Sequence, residues 1–441
     1  MVLRHGGLSF LLMYSLLLLT IGCPLLLLEM FLGQYSAMSS GTLFHHLCPL
    51  LSGLGVAFCI QAVVRAVLDL SILMWTAQGL YRVFSDMEVK EGFFSQEVLN
   101  KENFRFDVLL SLDMQLVMIL GIVTSATFLF IVGGIRSVGS ICQLCVPACF
   151  MLMVTLTIRT CMADGGSSGV STLLTPDWNV LTQPTVWLEA CCQVVFSLNL
   201  GLGGVTAYAS YNKYHYNIVR DCLIIIIAHL LWVLQSVVLT FSLLGVARTH
   251  LPSNDSLPQP NGMPGMAQIE VGLSEIQFGW LWTGLLFILL LLVGLSSMFG
   301  YLQVVTTSIL NVKPHYKHFN PIISLSLLCL IFLLSLVMTT PGGINIYLVI
   351  HTHISTWPVL LFSLLTVLAI VFCHGTKFLM TDISEMITFI LPHWVTSHLS
   401  SILYTFLPCS LVVSSTSYTY RHLTAFCSGQ PCLDHSQPGQ W

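Results

Sequence analysis

The sequence predicts an all-α, polytopic membrane helical bundle. Only 8% of its 441 residues are charged while 55% are hydrophobic, whereas a soluble chain carries about 25% charged residues. Apolar runs of roughly 20 residues recur along the whole length, each long enough to cross a hydrocarbon core of about 30 Å as a helix. That length of run excludes a barrel. One run also carries a cluster of glycines in its middle, "SLNLGLGG" at 197–204, which sets the functional question.

Ten spans are expected, at 8–32, 54–84, 114–132, 141–161, 186–211, 222–247, 281–310, 322–338, 344–372 and 394–413. The first lacks the short apolar core and small-residue cleavage site of a signal peptide, so it stays as a span. The second places Arg65 and Asp69 four residues apart in an apolar helix, where the two can neutralise each other. A polar segment, 85–107, separates it from the third. In the fourth, Cys142 and Cys145 have C-x-x-C spacing, but zinc takes four ligands and no second pair stands at a matching distance. No metal site is expected there. Asp221, just ahead of the sixth span, reads as a helix N-cap. The proline-rich segment 249–267 carries the sequon Asn254-Asp255-Ser256 and belongs outside or in a lumen. Alternation from Asn254 then puts Lys213, Arg220, Lys313, Lys317 and Lys377 on the cytoplasmic side, as the positive-inside tendency prefers, with Arg82, Arg159 and Arg248 opposite. The tail, 414–441, is too polar to span.

Several function classes fall away. The formal charge of −4 is spread over loops and implies no nucleic-acid partner. The 15 cysteines lie mostly within spans, where a thiol serves as a small hydrophobe. His45, His46, His351 and His353 lack metal-ligand spacing with carboxylate support. No nucleotide loop or catalytic elbow is present, so an enzyme is not expected and no cofactor is called for. A seven-helix receptor fails on span count.

Glycine costs roughly 1 kcal/mol against alanine in a helix interior. The residues alone leave two explanations for the 197–204 cluster. Transporter helices break near the bilayer midplane, where freed backbone groups hold substrate and ions. Alternatively, small residues let two helices pack closely.

The opening "GGLSFLLMYSLLLLTIGCPLLLLEMFLGQY" resembles the second transmembrane helix of the sodium-coupled neurotransmitter and amino-acid symporters, solute carrier family 6. The stretches "TPDWNVLTQPTVWLEACCQVVFSLNLGLGG", "ASYNKYHYNIVRD", "VGLSSMFGYLQVVTTSIL" and "HGTKFLMTDISEM" resemble the family's helix six, the following loop, helix eight and the link from ten to eleven. The resemblance covers nearly all of 6–413, and "VWLEA" and "GLSSMFG" are most similar to the orphan and neutral-amino-acid branch.

That resemblance implies an inverted-repeat sodium-symporter architecture with 197–204 as the break in helix six. It implies an incomplete copy: 1–413 as helices two to eleven without the first, and 414–441 as a polar tail where a twelfth helix is expected. The chain looks like a shortened product, such as a splice form. Carried over by position, Ser197, Val293 through its carbonyl, Ser296 and Ser297 are implied sodium ligands; Tyr14, Gln193 and Ser197 are implied chloride contacts. Phe196, Asn199, Gly201, Gly203 and Asp69 are implied to bind substrate. The departures are equally specific. Asn199 stands where the family usually has glycine, His229 replaces an asparagine that touches sodium and chloride, Val233 replaces the last chloride serine, and His351 and Asn311 take acidic gate positions.

The function implied is sodium-coupled symport of a small amino acid or related amine by the full-length form, with sodium and chloride as coupling ions. The alternative is a transport-incompetent truncated membrane protein acting through association with other membrane proteins. Either form is a multi-pass protein of the lipid bilayer, in an intracellular vesicle, endoplasmic reticulum or plasma membrane, and Asn254 is its expected glycan acceptor.

Overall fold

The computed structural model describes residues 2, 5–86, 112–250, 272–274, 276–312, 314–355 and 357–387. Every regular element among them is a helix. The elements are α1 (Leu8–Ser36, with a π-turn at Leu18–Gly22), α2 (Ser40–Leu47), α3 (Ser52–Asp86), α4 (Met114–Ile131), α5 (Ile135–Cys161), α6 (Gly166–Leu174), α7 (Pro184–Ser197), α8 (Gly204–Ala209), α9 (Ile218–His250), α10 (Gly279–Val312), α11 (Asn320–Ser335), α12 (Gly343–Ile354), α13 (Trp357–Ala369) and α14 (Thr376–Ile387).

Eight continuous stretches among the described residues are long and apolar enough to span a membrane. The count differs from the ten expected for two reasons. The span at 186–211 is not one helix, because α7 and α8 are separated by six unwound residues. The span at 394–413 lies outside the described residues, as do Asn254, Lys313 and the 414–441 tail. The protein is a multi-pass integral membrane protein.

Burial separates an inner layer from an outer one. The most apolar window of α1 is 67% buried and that of α5 only 17%, so α1 lies inside the bundle and α5 at its lipid-facing rim. The long pair α3 and α10 packs along its length, α1 packs against α7, α8 and α9, and α13 closes over α7. Leu223, Ile224, Ile227 and Leu231 of α9 stay exposed, as expected of side chains whose solvent is acyl chain rather than water. Hydroxyl side chains inside the spans bond back to their own helices: Ser71 donates to the Val67 carbonyl at 2.8 Å and Thr127 to that of Val123 at 2.8 Å. Such bonding leaves fewer polar atoms to be met by neighbours.

Local chemistry sets the helix ends. The Asp113 carboxylate accepts from the Gln115 N–H at 3.0 Å and caps α4. Pro184 opens α7, where its missing N–H costs nothing. At α9 the expected cap is corrected. The helix begins at Ile218 and the Asn217 Oδ1 accepts from the Arg220 N–H at 3.1 Å, leaving Asp221 within the first turn. Its charge there faces the positive end of the helix dipole. The loop between α8 and α9 is pinned to α1 by Gln34, whose amide donates to the Tyr214 and Tyr216 carbonyls and accepts from Asn212.

Candidate functional site: the break between α7 and α8

α7 stops in a Schellman arrangement. Asn199 takes the left-handed conformation at φ 58°, its N–H donates to the Phe196 carbonyl at 3.0 Å, and the Leu200 N–H donates to that of Val195 at 3.0 Å. Asparagine is the residue that tolerates this conformation best after glycine, which explains how Asn199 can stand at a position where glycine is usual. Gly201 and Gly203 are also left-handed, at φ 66° and 77°. A methyl group on Gly201 would fall 2.6 Å from the Val359 carbonyl oxygen, so only glycine fits. Leu198, Leu200 and Leu202 are all buried. Alternate residues thus anchor the unwound segment, whose N–H groups at Leu198, Asn199 and Leu200 close off α7 while that of Gly201 turns away from it.

A carboxylate holds the middle of the break. Glu29, buried on α1, accepts a 2.7 Å hydrogen bond at Oε1 from the Gly201 N–H. Its Oε2 has no partner, and neither do the buried oxygens of Ser40, Asn199 and Ser363. Ser40 and Ser363 flank Gly203 and Gly201 closely enough that either Oγ would collide with an added Cβ. Unsatisfied buried polar atoms are scarce in native proteins. Four around one unwound segment form a polar cradle with free acceptor capacity.

Beside the break, Tyr14, Ser197 and His229 form a closed triangle. Tyr14 Oη lies 2.7 Å from Ser197 Oγ and 2.7 Å from His229 Nε2, and Ser197 Oγ lies 3.3 Å from the same nitrogen. Ser197 Oγ also donates to the Val194 carbonyl at 3.1 Å. One proton assignment covers all four contacts: Nε2–H is shared between the Tyr14 and Ser197 oxygens, Tyr14 donates to Ser197, and Ser197 donates to the carbonyl. A cavity of about 310 Å³ opens next to this triangle, lined in part by Tyr14, Gln193, Ser197 and Val233. Three residues expected at an anion site, and two that depart from it, therefore sit together.

On the α3 side of the break, Arg65 is 2% exposed, and its Cζ lies 4.3 Å from the centre of the Phe196 ring. His351 meets Phe196 edge-on at 6.2 Å and stacks on Tyr347 at 5.4 Å. The spacing of Arg65 and Asp69 leaves a structural and a functional pair open, and the two stay within electrostatic reach without direct contact. No ion pair or hydrogen bond joins the two residues, and Arg65 Nε and Nη2 have no partner. Asp69 is half-buried and within electrostatic reach of Arg65. An arginine in mid-membrane costs about 3 kcal/mol on insertion scales, so such a group is kept for a reason.

Ser296 and Ser297 on α10 donate to the carbonyls of Leu292 and Val293, at 2.9 and 3.3 Å. Their oxygens retain lone pairs, while the Val293 carbonyl is engaged by Ser297. No hydrogen bond joins this group to the Ser197 triangle among the described residues. Glu29 was missed in the sequence, although it is the sole charged residue of the 8–32 run. That isolation was the available signal. Nothing in the sequence pointed to Ser40, Ser363 or Tyr347, because only the folded bundle brings α2, α12 and α13 to the break.

Residues 1–90 and 82–429 match the family described as Sodium:neurotransmitter symporter family. The sequence is 26% identical over 423 residues to the sodium- and chloride-dependent GABA transporter 2 of Homo sapiens, covering 87% of this chain and 70% of the relative. It is 27% identical over 425 residues to the sodium- and chloride-dependent taurine transporter of Canis lupus familiaris, covering 87% and 68%. It is 26% identical over 417 residues to the sodium-dependent serotonin transporter of Drosophila melanogaster, covering 87% and 67%. The chain therefore spans about two thirds of the length of these relatives.

Proposed function

This chain belongs to the sodium:neurotransmitter symporter family, a family of transporters rather than enzymes, and from that membership we propose that the protein moves a small amino acid or related amine by sodium-coupled symport around the α7–α8 break. The observation that carries the reading is the break itself, a six-residue unwinding fixed by Glu29 and rimmed by free oxygens. Discontinuous helices with that exposed backbone are where transporters hold substrates and coupling ions. Phe196, Asn199, Gly201, Gly203 and Asp69 are the proposed substrate contacts. Sodium, a hard cation, takes oxygen ligands, and the proposed donors are Ser197, Ser296, Ser297 and the Val293 carbonyl. Chloride is assigned to the Tyr14, Gln193 and Ser197 cavity.

The His229 triangle favours a second reading. Its three members satisfy one another, so an ion gains less there than at open ligands. That observation supports a family member with weakened ion coupling, and for such a chain we propose association with other membrane proteins in place of transport. Uptake into proteoliposomes containing the purified protein separates the two. Symport predicts accumulation of a labelled amino acid or amine under an inward sodium gradient and its loss when an ionophore collapses the gradient. No accumulation from a mixed amino-acid and amine pool would refute it.

A further inference from the structure

We propose that Cys23 and Cys222 are a modification site, a thiol pair that an organic hydroperoxide converts to a disulfide joining α1 to α9. The two sulfurs lie 3.9 Å apart, on residues 199 apart in sequence. A disulfide holds its sulfurs at about 2.05 Å, so about 2 Å of approach is left to side-chain rotation. The two helices run antiparallel and meet at two levels: Tyr14 Oη lies 2.7 Å from His229 Nε2, and the cysteines touch farther along. Gln34 then ties the end of α1 to the loop that leads into α9. The thiols thus lie part-way along a seam fixed on both sides of them, which keeps the sulfurs in register.

Burial gives the two sulfurs different parts. Cys222 is 2% exposed and donates to the Cys23 carbonyl at 3.6 Å, whereas Cys23 is half-buried. Exposed Leu12, Leu16 and Leu19 lead up to Cys23, and exposed Leu223, Ile224 and Ile227 follow Cys222. The oxidant suited to such surroundings is apolar, the hydroperoxide of an unsaturated acyl chain. The Cys23 sulfur bonds to its outer oxygen, the O–O bond breaks, and the alcohol leaves with the thiol proton. Cys222 then bonds to the resulting sulfenic sulfur, and water carries off the hydroxyl and the second proton. Two electrons pass from the thiols to the peroxide. The rival use of these residues is packing, in which each thiol serves as a small hydrophobe.

The test is non-reducing peptide mapping of the full protein, purified reduced in detergent and treated with cumene hydroperoxide. The wild type should yield a cross-linked pair of peptides containing Cys23 and Cys222, lighter by two hydrogens and released by dithiothreitol. It should also melt at a higher temperature than the reduced protein, because the bond joins residues 199 apart and constrains the unfolded chain. Cys222→Ser should lose that shift and leave Cys23 as a sulfenic acid that dimedone labels. Cys23→Ser should lose the shift as well and leave buried Cys222 unlabelled. Cys222→Ala and Cys23→Ala give the same readings where a serine variant does not fold. Cys48 and Cys373 also meet, just beyond the ends of α2 and α13, and the map separates that pair from this one. Survival of both Cys23 and Cys222 as thiols in the treated wild type would overturn the proposal, whatever happens at Cys48 and Cys373. A Cys23–Cys222 bond that leaves melting unchanged would overturn it too, as would equal dimedone labelling of the two single variants.

Discussion

Glu29 Oε1 and the Gly201 backbone N–H are 2.7 Å apart, the N–H of an unwound segment donating to a carboxylate in the last third of another membrane helix. Residues 172 apart in sequence are thereby joined in the buried interior. Burying both groups without that bond would strand a carboxylate and an amide in a medium with no water.

Glu29→Ala should therefore destabilise the protein by about 1–3 kcal/mol, the range for leaving a buried hydrogen-bonding group without its partner. Glu29→Gln keeps an oxygen acceptor and should cost less. Melting of the purified protein in detergent gives the order; equal losses for the two variants would detach the carboxylate from Gly201.

Gly201→Ala combines a left-handed backbone with overlap against the Val359 carbonyl. Together these should cost roughly 2–4 kcal/mol. Gly121 on α4 is the control, since a Cβ there meets nothing within 4 Å. Gly121→Ala should be neutral or stabilise by up to about 1 kcal/mol through helix propensity. Similar losses at both positions in chemical denaturation would show the break to be no more constrained than an ordinary helix.

The fold was legible in the sequence because each span needs only its own composition to declare itself. The break was legible only through the resemblance to the symporter family, because the residues alone leave the glycines as a break or a packing device, and it is the left-handed backbone at Gly201 and Gly203 that decides between them. What surrounds the break was not. Ser40 and Ser363 reach it from α2 and α13, and a hydroxyl in an apolar run looks the same whether it bonds to its own helix or faces a cradle. The Arg65–Asp69 spacing was visible, but whether side chains four apart actually meet depends on neighbours such as Phe196 that draw the guanidinium aside. At α9 the sequence favours Asp221, the acidic residue nearest the apolar run, as the cap, whereas Asn217 four residues earlier performs that role.

His229 closes the triangle with Tyr14 and Ser197, and an asparagine would offer an amide oxygen in its place. His229→Asn should therefore lower the sodium concentration needed for half-maximal uptake by severalfold, since a hard cation prefers oxygen. An unaltered sodium dependence in proteoliposomes would remove His229 from the ion path.

The most direct measurement of whether the break holds transported species is hydrogen exchange of the backbone amides at 198–203, followed by mass spectrometry with sodium plus substrate and with potassium alone. If the unwound backbone receives these species, its amides should exchange more slowly in sodium with substrate, because binding stabilises only the states it occupies, while the amides of α4 (Met114–Ile131) should not change. Exchange at 198–203 that is the same in both solutions would contradict the account and leave the glycines as a packing device.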